Sequence, residues 1–173
     1  INQSKLVLGY KIDKMDDFQL RYVLNVYSYI LGGGPDSKLF KTVREKNSLC
    51  YYISSTSYPL NSILTINAGI NKKDFNNALN LIKKELLNMR KGKFDDDDII
   101  KAKITYINSL KELEDNPQSL LSLYAGIEYL NSDDLENRFA KINKVTKANV
   151  IKLASKIHLD TIYLLEGDNH AKK

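Results

Sequence analysis

Apolar and polar residues alternate from Lys5 to Ile12, with Leu6, Leu8, Tyr10 and Ile12 on one side and Lys5, Val7, Gly9 and Lys11 on the other. A period of two predicts a half-buried strand. The period then lengthens. Asp16 stands at a helix N-cap, Gln19 at the reciprocal capping-box position, and Met15 and Leu20 where a hydrophobic staple would close. Leu20, Val23, Leu24, Tyr27, Ile30 and Leu31 fall on one helical stripe, which Gly32, Gly33 and Gly34 end. Three adjacent glycines carry a large backbone-entropy penalty, so unusual dihedrals or the close approach of another backbone are expected there. Ser37 opens a shorter helix to about Glu45, with Leu39, Phe40 and Val43 inward.

Residues 50–58, rich in tyrosine, serine and threonine, predict a second strand. A turn at Pro59–Ser62 leads into a third strand, Ile63 to Ile70, with Leu64, Ile66, Ala68 and Ile70 on one face, so the two form an antiparallel hairpin. Helices follow. Asn71 caps one running to Arg90, striped by Ala78, Ile82, Leu86 and Met89, and Lys91-Gly92-Lys93 breaks it. Asp95 starts the next, with Ile100, Ile104, Ile107 and Leu110 as its stripe. Asn116-Pro117 opens a third, carrying Leu120, Leu123, Tyr124, Ile127 and Leu130. Ser132 opens a short helix with Leu135, Phe139 and Ile142. Thr146 opens the last, which carries Val150, Leu153, Ala154 and Ile157. Thr161 to Leu165 is a final strand and Gly167 to Lys173 a frayed tail. Segregated helices with mostly antiparallel strands predict an α+β fold, its sheet covered by helices on one face, with the first and last strands side by side near the centre.

A length of 173 residues fits a single domain, 1–173, and 43% hydrophobic with 27% charged residues is ordinary for a globular chain. The chain opens on Ile1, without Met and inside the first strand, which predicts a fragment of a longer protein; a processed mature chain would look the same. No apolar run reaches the ~18 residues of a membrane span, and the opening stretch INQSKLVLGYKID lacks the long apolar h-region of a signal peptide, so no membrane partner is expected. The net charge of +5 comes from 26 basic and 21 acidic residues, with the lysines scattered; no basic stripe or motif points to nucleic acid. One cysteine, Cys50, excludes an internal disulfide and fits a reducing, cytoplasmic setting.

Self-contained chemistry is absent from the pattern. The two histidines, His158 and His170, stand apart and in no zinc motif, and His158 is expected at a helix end as a cation facing the dipole. Asp95 to Asp98 lack the glycine and downstream glutamate of a calcium loop and suit a helix N-terminus. Cys50 has no histidine nearby and fits a buried small hydrophobe. GGGPDSK is no phosphate loop, since Lys38 is followed by Leu39 and the preceding element is helical.

The segment Leu31 to Ser55, LGGGPDSKLFKTVREKNSLCYYISS, resembles the signature segment of the C-terminal half-domain of pitrilysin/insulinase-type zinc metallopeptidases, closest to a bacterial branch. The matching elements are a helix ending in glycines, S-K-L-F, V-R-E-K, and an aromatic residue seven positions after the arginine. The resemblance implies a metallopeptidase half-domain fold of the mitochondrial-processing-peptidase kind, paired with an N-terminal half that carries zinc in an H-x-x-E-H motif. It implies no metal or cofactor in this half. It also implies that Arg44 and Tyr51 reach the substrate carbonyl, where preorganised donors would stabilise developing negative charge. Ser48 and Cys50 stand where the family often has glycine or alanine. The expected function is thus the non-metal half of a zinc endopeptidase, closing a chamber over a peptide that adds to a sheet edge. The partners are the zinc-bearing half, the peptide, and a second chain in a homo- or heterodimer. The alternative is a partner domain of a paralogue that has lost the zinc motif.

Overall fold

The computed structural model describes residues 3–167. The alternating N-terminal stretch forms strand β1 (Ser4–Ile12), with Leu6, Leu8, Tyr10 and Ile12 all buried. It pairs antiparallel with β3 (Ile63–Ile70) on one side and β4 (Ile157–Leu165) on the other, and β2 (Cys50–Tyr58) pairs antiparallel with β3. The order is β2-β3-β1-β4. The rows Leu6/Ala68, Leu8/Ile66 and Tyr10/Leu64 face the helices. The other face carries Val7, Gly9, Thr65 and Asn67 in its middle rows, and no helix among the described residues covers it: Tyr52, Tyr58 and Tyr163 there are exposed.

The helical layer begins as expected. Asp16 Oδ1 accepts from the Gln19 amide at 2.7 Å, and Gln19 Oε1 accepts in return from the Asp16 amide at 3.4 Å. The helix starts with a π-helical segment, Gln19–Val23, and continues as α1 (Leu24–Gly32). Tyr27 and Leu31 of α1 lie in the core. At the corner, a Cβ on Gly32 would stand 2.5 Å from the backbone nitrogen of Ser55, and Gly34 takes φ 146°. Both reasons expected for the glycines are therefore present: one admits a neighbouring backbone, the other a dihedral that L side chains rarely take.

A second π-helical segment, Phe40–Lys46, lies against β2. After a 3₁₀ turn at Lys72–Asp74 come α2 (Phe75–Arg90) and α3 (Asp96–Lys111). Then follow α4 (Pro117–Leu130), α5 (Leu135–Asn143) and α6 (Lys147–Ala154). The run Asp96 to Asp98 occupies the first turn of α3, where Asp98 Oδ2 accepts from the Asp95 amide at 2.7 Å and pairs with Lys38 at 2.6 Å. That is the dipole role rather than an ion site. The buried apolar residues of sheet and helices, Leu123 of α4 excepted, form one continuous cluster.

The structure differs from the sequence reading in several places. β4 begins at Ile157, not Thr161, so Ile157 is a strand residue and His158 lies within the strand opposite Lys11, its Nε2 2.9 Å from Asp13 Oδ2. The cation at the end of α6 is instead Arg90, whose guanidinium donates to the carbonyls of Ala154, at 3.1 Å, and Ile157. The cap of α5 is Asp134, not Ser132; its Oδ1 accepts from the Asn137 amide at 2.8 Å. The inner face of α3 carries Ile99, Ala102 and Leu110, while Ile100 and Ile104 are exposed. β1 and β4 are neighbours as expected, but β4 is an edge strand. His170 and the tail from 168 lie outside the described residues.

Both edge strands shift register once. On β4 the shift falls between Thr161, opposite Gly9, and Leu159, opposite Tyr10, which leaves Asp160 unpaired in the ladder and ion-paired to Lys11 at 2.6 Å. On β2 it falls between Cys50, opposite Ile70, and Tyr52, opposite Gly69, which leaves Tyr51 unpaired.

Candidate functional site

Arg44 and Tyr51 come from different elements and reach the same hollow. Arg44 is on the π-helical segment Phe40–Lys46, whose inward anchor is Val43. Arg44 therefore points outward, and its guanidinium carbon sits 4.5 Å from the centroid of the Phe40 ring. Such a contact is worth ~0.5–1 kcal/mol at an exposed position, enough to bias the side chain's direction. The segment ends at Asn47. Ser48 then takes φ 52°, its amide donating to the Arg44 carbonyl at 3.0 Å, and the chain enters β2 two residues later.

Regular alternation would put Tyr51 outward and Tyr52 inward, since Cys50 is buried at 8% exposure and opposite Ile70. The register shift removes that conflict. Ile53 recovers the inner face opposite Ala68, and Tyr51 and Tyr52 both stay out of the core, at 59% and 41% exposure. Such irregularities redirect side chains at strand edges. The Tyr51 hydroxyl donates to Asn71 Oδ1 at 3.4 Å, a long bond, and Asn71 Nδ2 donates to Asp74 Oδ2 at 3.1 Å.

Arg44, Ser48, Leu49, Cys50, Tyr51 and Asn71 line a cavity of about 350 Å³. Burial pushes the Cys50 thiol up to about 11, against the pull of Arg44; this keeps it neutral near pH 7 and disfavours the thiolate that a nucleophile needs. Asn71 was legible only as a helix cap, and its side chain instead faces the pocket. Nothing in the local sequence signals the shift that frees Tyr51. A second hollow, about 150 Å³, lies under the glycine corner between Tyr29, Pro35 and Thr105, with Asp36, Asp98 and Lys101 in its wall. Its charges are already paired: Asp36 with Lys41, Asp98 with Lys38 and Lys101 with Asp97.

Among the described residues no group of three or more His, Cys, Asp or Glu side chains could hold a metal ion. The pocket's side chains do not suit zinc either: a guanidinium cannot ligate, and Cys50 is the single zinc-type ligand in a lining without imidazole or carboxylate. No helix among the described residues is long and apolar enough to cross a membrane.

Similarity to known proteins follows the same outline. Residues 1–106 match the Peptidase M16 inactive domain family. A Bacillus subtilis protein named as a probable inactive metalloprotease, YmfF, is 34% identical over 172 residues, which is 99% of this chain and 40% of that protein. A conserved protein from Enterococcus faecalis has a solved structure that superposes with a TM-score of 0.88 at 34% identity, over 99% of this chain and 41% of that one. A solved peptidase M16 inactive domain from Pseudomonas fluorescens shares the fold, with a TM-score of 0.76 at 20% identity over 99% of this chain and 42% of that one. The chain thus spans about two fifths of the length of these proteins. An antiparallel sheet with helices on one face, the V-R-E-K helix turning at Ser48 into an irregular edge strand, and the match over residues 1–106 agree: the chain belongs to the peptidase M16 inactive domain family.

Proposed function

We propose that this chain, residues 1–173 as one C-terminal half-domain, is a metal-free partner half that packs against a second half-domain of the same kind and holds an extended peptide in the space between them. The observation that carries the reading is the convergence of Arg44 and Tyr51, from a helical segment and an irregular edge strand, on one solvent-open pocket. The similarity to a relative named inactive favours a paralogue in which neither half performs hydrolysis. Pairing as a homo- or heterodimer fits such a partner role, and a reducing, cytoplasmic setting fits its single buried thiol.

A second reading is favoured by the donors themselves. A phenol and a charged fork beside one cavity are what a peptide carbonyl needs as charge builds on its oxygen. In a parent with zinc in its N-terminal half, Arg44 and Tyr51 would orient and polarise the scissile carbonyl, and the metal would come from the other half.

Metal content and peptide cleavage of the protein carrying the N-terminal half decide between them. The partner reading expects no stoichiometric zinc and no turnover. Stoichiometric zinc with turnover that falls about a hundredfold in Tyr51→Phe, at unchanged thermal stability, establishes the second reading instead.

A further inference from the structure

The pocket holds a positive charge with no internal counter-ion. Among the described residues Arg44 makes no ion pair, and its stacking on the Phe40 ring uses none of its N–H groups in a hydrogen bond. The six lining residues include no acid. Asp74, the carboxylate linked to the pocket through hydrogen bonding, is engaged by Asn71 Nδ2. That bond turns the Asn71 carbonyl oxygen toward Tyr51, which donates to it across 3.4 Å. A bond of that length is readily exchanged for a better acceptor. Ser48, held at φ 52°, brings a second hydroxyl-bearing side chain to the same wall.

From this arrangement we propose that the Arg44–Tyr51 pocket binds the free C-terminal carboxylate of a peptide in preference to an internal peptide carbonyl. This rests on the reading of the pocket as a peptide site given above and goes beyond it by naming the group held. An internal carbonyl brings one uncharged oxygen. A carboxylate brings two oxygens and a charge, which match a planar fork of N–H donors with a phenol beside it. Charge-assisted hydrogen bonds are about twice as strong as neutral ones. The cavity, about 350 Å³ and open to solvent, admits a chain end without burying it. A half-domain with this pocket would retain peptides that have already been cut, and this holds whether or not its partner half cleaves.

The test titrates the 173-residue chain with three N-acetylated pentapeptides: one ending in a free carboxylate, the same sequence amidated, and an amidated form with Glu as its last residue. The carboxylate peptide should bind about tenfold tighter than its amide, with the difference shrinking as salt is raised. Arg44→Met should abolish the preference, Arg44→Lys should keep part of it, and Tyr51→Phe should narrow it, all with unchanged thermal midpoints. Equal affinity for acid and amide overturns the inference, as does a preference that survives Arg44→Met. The Glu-ended amide binding as tightly as the free acid shows that the terminus is not what is recognised, and inorganic phosphate competing as well as the peptide shows a general anion patch; either overturns it. Equal binding that is lost in Arg44→Met sinks the carboxylate preference while leaving the peptide-holding function intact, and no binding of any peptide sinks both.

Discussion

Gly32 shows how little room single residues have in this fold. The last turn of α1 comes so close to β2 that an added methyl would meet the Ser55 backbone nitrogen at 2.5 Å. A backbone contact cannot rotate away as a side chain can. Gly32→Ala should therefore destabilise by about 1–3 kcal/mol, as overpacking does, read from urea midpoints; an unchanged midpoint would mean that the corner relaxes freely. The sequence made this corner legible, since three adjacent glycines have to be explained by dihedrals or by closeness. It gave no such notice at Tyr51. Two tyrosines in a row at a strand start fit an ordinary alternation. The register shift that keeps both out of the core depends on Gly69 and Ile70 across the ladder, residues distant in sequence. Ser48 lies between these cases: its φ of 52° is one that glycine takes freely, but a serine alone does not announce it.

At the scale of elements, the capping signals located helix starts well when the cap and the first turn were adjacent in sequence, as at Asp16, Asp95, Asn116 and Thr146. Ser132 misled because a stronger cap, Asp134, follows it and because the intervening Asp133 has a different task. Asp133 accepts from Tyr22 at the start of the first helix and from Lys141 of α5, tying the α4–α5 connection to the body of the domain. Burial works to raise its carboxyl pKa, but hydrogen bonds from Lys141 and Tyr22 outweigh it and hold the group below the usual carboxylate range. Because the folded value is depressed, this stabilisation is present above the unfolded value near pH 4 and fades as pH falls through the folded one. The stability gap between the wild type and Asp133→Asn should thus be widest above pH ~4 and close below it, a difference that thermal midpoints across pH would measure. α4 is the element whose stripe was least informative. It is apolar on nearly every side, yet only Leu123 is buried, while Leu121 and Tyr124 are each 64% exposed. Leu121→Gln should leave stability within ~0.5 kcal/mol and reduce self-association seen by light scattering; a loss above ~1 kcal/mol would place Leu121 in a packed contact. The Ile100 and Ile104 stripe failed for a related reason: the buried face of α3 carries Ile99, Ala102 and Leu110, α3 meets Asn25 and Tyr29 of α1 through Tyr106 and Ser109, and composition alone could not choose between the two faces.

For the whole molecule, the class and the layer arrangement were legible because the two periods segregate along the chain. The strand order was legible only in part: the β2–β3 hairpin and the β1–β4 adjacency were, but the β1–β3 pairing that puts β4 at an edge depends on contacts distant in sequence. β1 and β3 each have a neighbour on both sides, whereas β2 and β4 have one. Amide hydrogen exchange should therefore be slowest in β1 and β3 and fastest in α4 and along the outward side of β4; uniform protection across the sheet would contradict this layout. The break at Asp160 adds a further consequence. An exposed edge strand is a template on which another chain can zip, and β4 carries Leu159, Ile162, Tyr163 and Leu165 to the solvent. With Asp160 out of the ladder and held by Lys11, an incoming strand could stay in step only with Ile157–Leu159 or with Thr161–Leu165. Each run is shorter than the ~6–7 residues of a typical steric-zipper segment, so the break limits how far such pairing can extend along that edge.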